Sequence, residues 1–339
     1  MKNFIKLNGI LIFFYTLFAF PLFYFVYKYS TPYFGLSDFF DYYKLYENMD
    51  IKNTDSPLNM RLVSSFFVYC MSKTGLFYNT PCAIDGEAFS KVIYFNAILF
   101  NFMCVVTTCL VIFHLVKSRG FSTLMSFTAG LSYLLGFGTI FFEITPITDA
   151  FAVLLFAIIL QLYYKKSHFI LIPLVILIIQ REYVFLALGF FAFIDYMKFK
   201  SRYTLQVFLY CLVCFIIHVI LRKLFFETSR YAHHTNVNFI LESITRLSFP
   251  ILPFIRQVGM TLNIFIIYVF VVAYKHFKNI SYDKHEFLKI NLLFVQLLII
   301  AFLLALGNNS GRYFYILTPL LIVQIVNELK VFQLDKSGA

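Results

Sequence analysis

The chain has 339 residues, of which 60% are hydrophobic and only 13% charged. A soluble domain carries about 25% charged residues, so soluble globular classes are excluded and a polytopic membrane protein is indicated. The net charge of +11 is scattered over short loops with no basic stripe, which argues against nucleic acid and for the charge asymmetry of membrane topology.

A membrane span needs ~20 apolar residues. The first, 8–26, is flanked by Lys2 and Lys6. No small-residue cleavage site follows it, so it reads as a span and not as a signal peptide. Residues 27–91 then form a first extracytoplasmic loop, within which Ser37 to Arg61 is the first long polar segment. Asp38 and Asp41 stand three apart in it and share a face on a helical turn, with Tyr42 next in sequence. Further on, Ser56-Pro57-Leu58-Asn59-Met60-Arg61 leads into a stretch where Val63, Phe66, Phe67 and Cys70 form one helical stripe. That stripe predicts a helix lying in the membrane interface. Cys70 and Cys82 both fall in this loop; outside the cytoplasm, a disulfide between them and two free thiols are both open.

The second span is 92–116, the third 121–142 and the fourth 150–164, with Glu143 and Asp149 in the link before the fourth. Residues 168–197 fit either one helix of ~45 Å or two short spans. Lys165 and Lys166 precede this segment, and Lys198, Lys200 and Arg202 follow it. Both clusters prefer the cytoplasm, and only a hairpin places them there, with Arg181 and Glu182 at its outer tip. The seventh span is 203–221. An outer loop, 222–257, carries a second apolar stripe at Ile240, Leu241, Ile244 and Leu247. Spans at 258–274, 290–307 and 313–327 complete ten, in a single transmembrane domain covering 1–339, with both termini inside. On this topology most cations fall in the cytoplasm and most acids outside, as the positive-inside rule expects.

Cys211 and Cys214 have redox or zinc spacing, but they sit mid-span without a second pair and read as small core hydrophobes. His233 and His234 read as solvated loop residues, and His114 and His218 as hydrogen-bonded within the bundle.

Asp38, Asp41, Arg61, Glu143, Asp149, Arg181, Glu182 and Arg312 all fall on the outer side near span ends. Charges there are costly at bilayer depth and should be paired or line a wet cavity. The set suits transfer of a sugar carried on a polyprenyl phosphate. The phosphate leaving group needs no general acid, one carboxylate can take the acceptor's proton, and arginine grips phosphate with a planar fork.

In pattern, the chain resembles the GT-C superfamily of polytopic glycosyltransferases. The features that carry the resemblance are the acidic first outer loop, Ser56 to Leu62 leading into an interfacial helix, Thr148-Asp149 opening the fourth span, Arg181-Glu182 at a hairpin, and Gly311-Arg312-Tyr313-Phe314 before the last span. The resemblance implies an all-α transmembrane bundle with interfacial helices in its outer loops, and a catalytic acid at Asp38 or Asp41. It also implies donor or phosphate contacts from Arg181, Glu182, Arg312, Asp149 and Glu143, with Arg61 and Tyr42 positioning the acceptor or the loop. Some members bind a divalent cation such as Mg or Mn, which Asp149 and Glu143 would hold. The expected partners are a polyprenyl-phosphate sugar donor, a glycan or lipid-linked acceptor and membrane lipids. Short loops favour a bacterial inner membrane. Two rival readings are a polysaccharide polymerase of the O-antigen type, which leans on arginines, and a non-enzymatic lipid or glycolipid flippase, which needs polar residues through the membrane's depth.

Overall fold

A computed structural model describes residues 2–29, 37–54, 58–74, 90–136, 138–226 and 315–334. Among these residues there are ten α-helices and no strand. The order is α1 (Lys2–Tyr29), α2 (Ser37–Asn48), α3 (Leu62–Lys73), α4 (Lys91–Ser118), α5 (Thr123–Leu134), α6 (Asp149–Tyr164), α7 (Leu171–Ile178), α8 (Tyr183–Phe199), α9 (Arg202–Leu221) and α10 (Thr318–Leu334).

α4 is the axis of the bundle. It is largely apolar and mostly buried, leaving Met103 exposed, and it packs against α1, α3, α5, α6 and α10. Tyr94, Val105, Cys109, Ile112, Phe113 and Val116 along it are fully buried. α1 and α9 differ. Each is long and apolar enough to cross a membrane, as is α4, yet Phe13, Leu17 and Phe18 of α1 and Leu212, Val213 and Ile216 of α9 are exposed. An exposed apolar helix of this length is stable in hydrocarbon and not in water. The chain is thus an α-helical membrane protein.

The residue stretch 168–197 is a hairpin. α7 ends at Ile178, the backbone turns through Ile179–Glu182, and α8 begins at Tyr183. α7 has 8 residues and continues directly from a 3-10 turn at His168–Ile170. The third predicted span, 121–142, is interrupted. α5 stops at Leu134, and Thr139–Ile144 is wound as a π-helix. Tyr315 explains the break. Its ring lies against Gly136 and Gly138, and its hydroxyl meets Thr139 and the Tyr133 carbonyl. A side chain wedged into the backbone ladder breaks a helix at that point.

The predicted spans 258–274 and 290–307, the second stripe at 240–247, His233, His234, Cys82 and Arg312 lie outside the described residues. So do the side chains of Asp38, Asp41 and Glu143. Cys70 is a free, exposed thiol, and Cys211 and Cys214 are free and buried.

Candidate functional site

Three segments distant in sequence meet at one end of the bundle: the loop carrying α2 and α3, the link 145–149, and the turn 179–182. α2 buries Phe39, Tyr42, Leu45 and Tyr46 as a helical stripe. The Tyr46 hydroxyl donates to the Pro146 carbonyl at 3.4 Å, tying α2 to the link. Asn101 of α4 donates its side-chain amide to the Thr145 and Ile147 carbonyls, the latter at 2.6 Å. It thereby satisfies two carbonyls that the non-helical link leaves exposed within the core. α2 carries Asp38 and Asp41 at its second and fifth positions.

α3 is amphipathic in an inverted sense. Ser64, Ser65 and Val68 face inward and are buried, whereas Phe66 and Phe67 are 51% and 45% exposed. The serines are inward because they meet the polar turn. Gln180 donates to the Ser64 hydroxyl at 2.8 Å and to the Thr148 carbonyl at 3.1 Å, and its own oxygen accepts from the Ser64 amide at 3.2 Å. Gln180 is thus the knot between all three segments. The Leu62 amide also donates to the Ile179 carbonyl at 3.2 Å.

Around this knot sit four charges in two crossed pairs. Arg61, only 1% exposed, binds Glu182 at 2.9 Å and also donates to the Gln180 carbonyl. Arg181 binds Asp149 and reaches the Thr148 hydroxyl at 3.5 Å. Arg181 and Glu182 are sequence neighbours, yet neither pairs with the other; each reaches a partner on a different segment. Asp149 occupies the first turn of α6, where an anion suits the helix dipole. Thr148 precedes it without a side-chain capping bond, and Arg181 reaches its hydroxyl instead. Burial works to raise the Glu182 carboxyl, but Arg61, with His218 and Arg181, outweighs it and holds the group well below the usual carboxylate range.

The pairing leaves donors over. Nε of Arg61, Nε of Arg181 and the Tyr42 hydroxyl are buried with no hydrogen-bond partner among the described residues. Of the two residues expected to hold a divalent cation, Asp149 and Glu143, only the Asp149 side chain is among those described. The Asp149 carboxylate is taken by Arg181, and no three His, Cys, Asp or Glu side chains gather among the described residues.

Sequence reasoning named Arg61, Asp149, Arg181 and Glu182 but missed Gln180, Ser64, Asn101 and the closeness of His218 to Glu182, at 3.7 Å. The available signal was a polar side chain in an otherwise apolar stretch: Gln180 directly before Arg181, Asn101 in the middle of a span.

Comparison with known proteins finds no matching family model, no similar curated protein and no similar solved structure.

Proposed function

We propose that this chain is a glycosyltransferase of the GT-C type, built on about ten spans, with both termini cytoplasmic in a bacterial inner membrane. It takes a sugar from a polyprenyl-phosphate donor and passes it to an acceptor hydroxyl on the extracytoplasmic face. The observation that carries this reading is the meeting of α2, the link 145–149 and the turn 179–182 around buried, arginine-rich polar groups.

In this reading the acceptor hydroxyl attacks the anomeric carbon, and the bond from that carbon to the phosphate oxygen breaks. The electron pair leaves on the phosphate. Asp38, or Asp41 in its place, takes the hydroxyl proton. A single displacement inverts the anomeric centre. The leaving phosphate needs fixed cations and donors, which Arg181 and Arg312 supply. The unpartnered Nε donors of Arg61 and Arg181 favour an incoming acceptor such as a phosphate oxygen. Their carboxylate partners keep both guanidinium planes oriented before it arrives. The outward Phe66 and Phe67 of α3 suit a helix at the membrane interface beside the lipid tail. No step passes through a metal.

The test is transfer by the purified full-length chain in detergent, using a panel of radiolabelled polyprenyl-phosphate sugars, with the product's anomeric configuration read by NMR. Transfer with inversion supports the reading; retention of configuration, or no transfer from any donor, overturns it.

A further inference from the structure

One ionisable group beside the polar knot has no part in sugar transfer. His218 lies near the end of α9 and is 1% exposed. Its Nδ1 sits 2.6 Å from the Ile178 carbonyl oxygen. Ile178 is the last residue of α7, so its carbonyl has no next helical turn to serve. A carbonyl only accepts, so Nδ1 carries a hydrogen and donates it. The other nitrogen, Nε2, faces a Glu182 carboxylate oxygen at 3.7 Å. It is buried and has no hydrogen-bond partner among the described residues.

In the neutral ring this arrangement is poor. With Nδ1 holding the only hydrogen, Nε2 is a bare lone pair turned toward an anion 3.7 Å away. Two acceptors then face each other with no hydrogen between them. One added proton converts Nε2 into a charged donor opposite a carboxylate, and both ring nitrogens then face acceptors, the pattern that imidazolium alone satisfies.

We infer that His218 and Glu182 form a buried proton-binding site, in which the second imidazole proton is held against the Glu182 carboxylate. The surrounding charges set its terms. Burial of the ring opposes uptake most; Glu182 of the turn and the Ile178 carbonyl favour it, and Arg61, before α3, and Arg222, just beyond α9, are the cations that oppose it. With the ring neutral, Glu182 is gripped from the α3 side alone, by Arg61. With the proton bound, α9 joins as a second anchor, so uptake fastens α9 to the hairpin turn. The inference stands apart from the transferase reading, because it needs no substrate.

The test is NMR of the full chain in detergent micelles with 13C,15N-labelled histidine, the His218 signal being identified by its loss in His218→Gln. The expected result is a ring that takes up its second proton, on Nε2, as pH falls from about 7 toward 5, with uptake at least tenfold weaker in Glu182→Gln. The inference is overturned if wild-type His218 stays the neutral Nδ1–H tautomer down to about pH 5. It is equally overturned if wild type and Glu182→Gln, each verified as folded by circular dichroism, titrate alike. The wild-type spectrum alone decides the first point, so the test survives a variant that fails to fold.

Discussion

Arg61 and Glu182 are 121 positions apart in sequence and 2.9 Å apart in the fold, and their contact is the hinge pin between the first outer loop and the α7–α8 turn. One guanidinium nitrogen, Nη1, donates both to the Glu182 carboxylate and to the Gln180 carbonyl. Among the described residues Arg61 is the nearest cation to Glu182, with His218 farther off at 3.7 Å, so loss of the guanidinium leaves the carboxylate poorly matched.

Removing one member should therefore cost far more than removing both. Arg61→Ala strands a buried carboxylate and is expected to destabilise by about 3–5 kcal/mol. Arg61→Met with Glu182→Leu is expected to recover most of that loss. Unfolding midpoints in detergent measure both. Equal losses for the single and double variants would mean that the pair is not the source of the stability.

Gln180 carries no charge, yet it ties three segments together. Gln180→Ala leaves the buried Ser64 amide without its side-chain partner, at about 1–3 kcal/mol for a group left unsatisfied. Faster hydrogen exchange at the Ser64 amide is the direct reading. Unchanged exchange there would show that the knot is held elsewhere.

The helical architecture was legible in the sequence where the signal is apolar length and flanking charge. The first, second, fourth and seventh spans match α1, α4, α6 and α9 closely, and the lysine clusters on either side of 168–197 correctly demanded a hairpin. The break within 121–142 was not legible, because its cause, Tyr315, enters from the far end of the chain. The site was legible as a list of charges and not as a set of pairs. Adjacent residues Arg181 and Glu182 invite pairing with each other, and nothing in one dimension says that Asp149 and Arg61 claim them. Gln180 and Ser64 looked like ordinary polar residues, since a hydrogen bond 116 positions apart leaves no periodic trace.

The break itself predicts a steric effect. A methyl group at Gly138 would collide with the Tyr315 ring, which is rigid and fully buried. Gly138→Ala is expected to cost about 1–3 kcal/mol, and Tyr315→Leu in the same chain to return part of it. Unfolding midpoints of the two single variants and the double variant check this. Full additivity would deny the contact.

The Arg61–Glu182 pair also predicts how stability depends on pH. Glu182 is held below the usual carboxylate range in the folded chain. The stability from its charge is then complete above the unfolded carboxyl value of about 4.3 and is lost only as pH falls through the lower folded value. The stability gap between wild type and Glu182→Gln should not shrink from neutral pH down to about pH 5, and should close only in stronger acid. A gap that closes between pH 7 and pH 5 would place the carboxyl in the ordinary range or above it.

The central claim is that a carboxylate of α2 is the base for sugar transfer beside this arginine-rich knot. The most direct measurement is the transfer rate from a radiolabelled polyprenyl-phosphate sugar, comparing wild type with Asp38→Asn, Asp41→Asn and the double variant, each with its unfolding midpoint. The account predicts a loss of about 10²–10⁴-fold in at least one single variant and in the double variant, with unchanged midpoints. A double variant that transfers at the wild-type rate would contradict it and favour the arginine-driven polymerase.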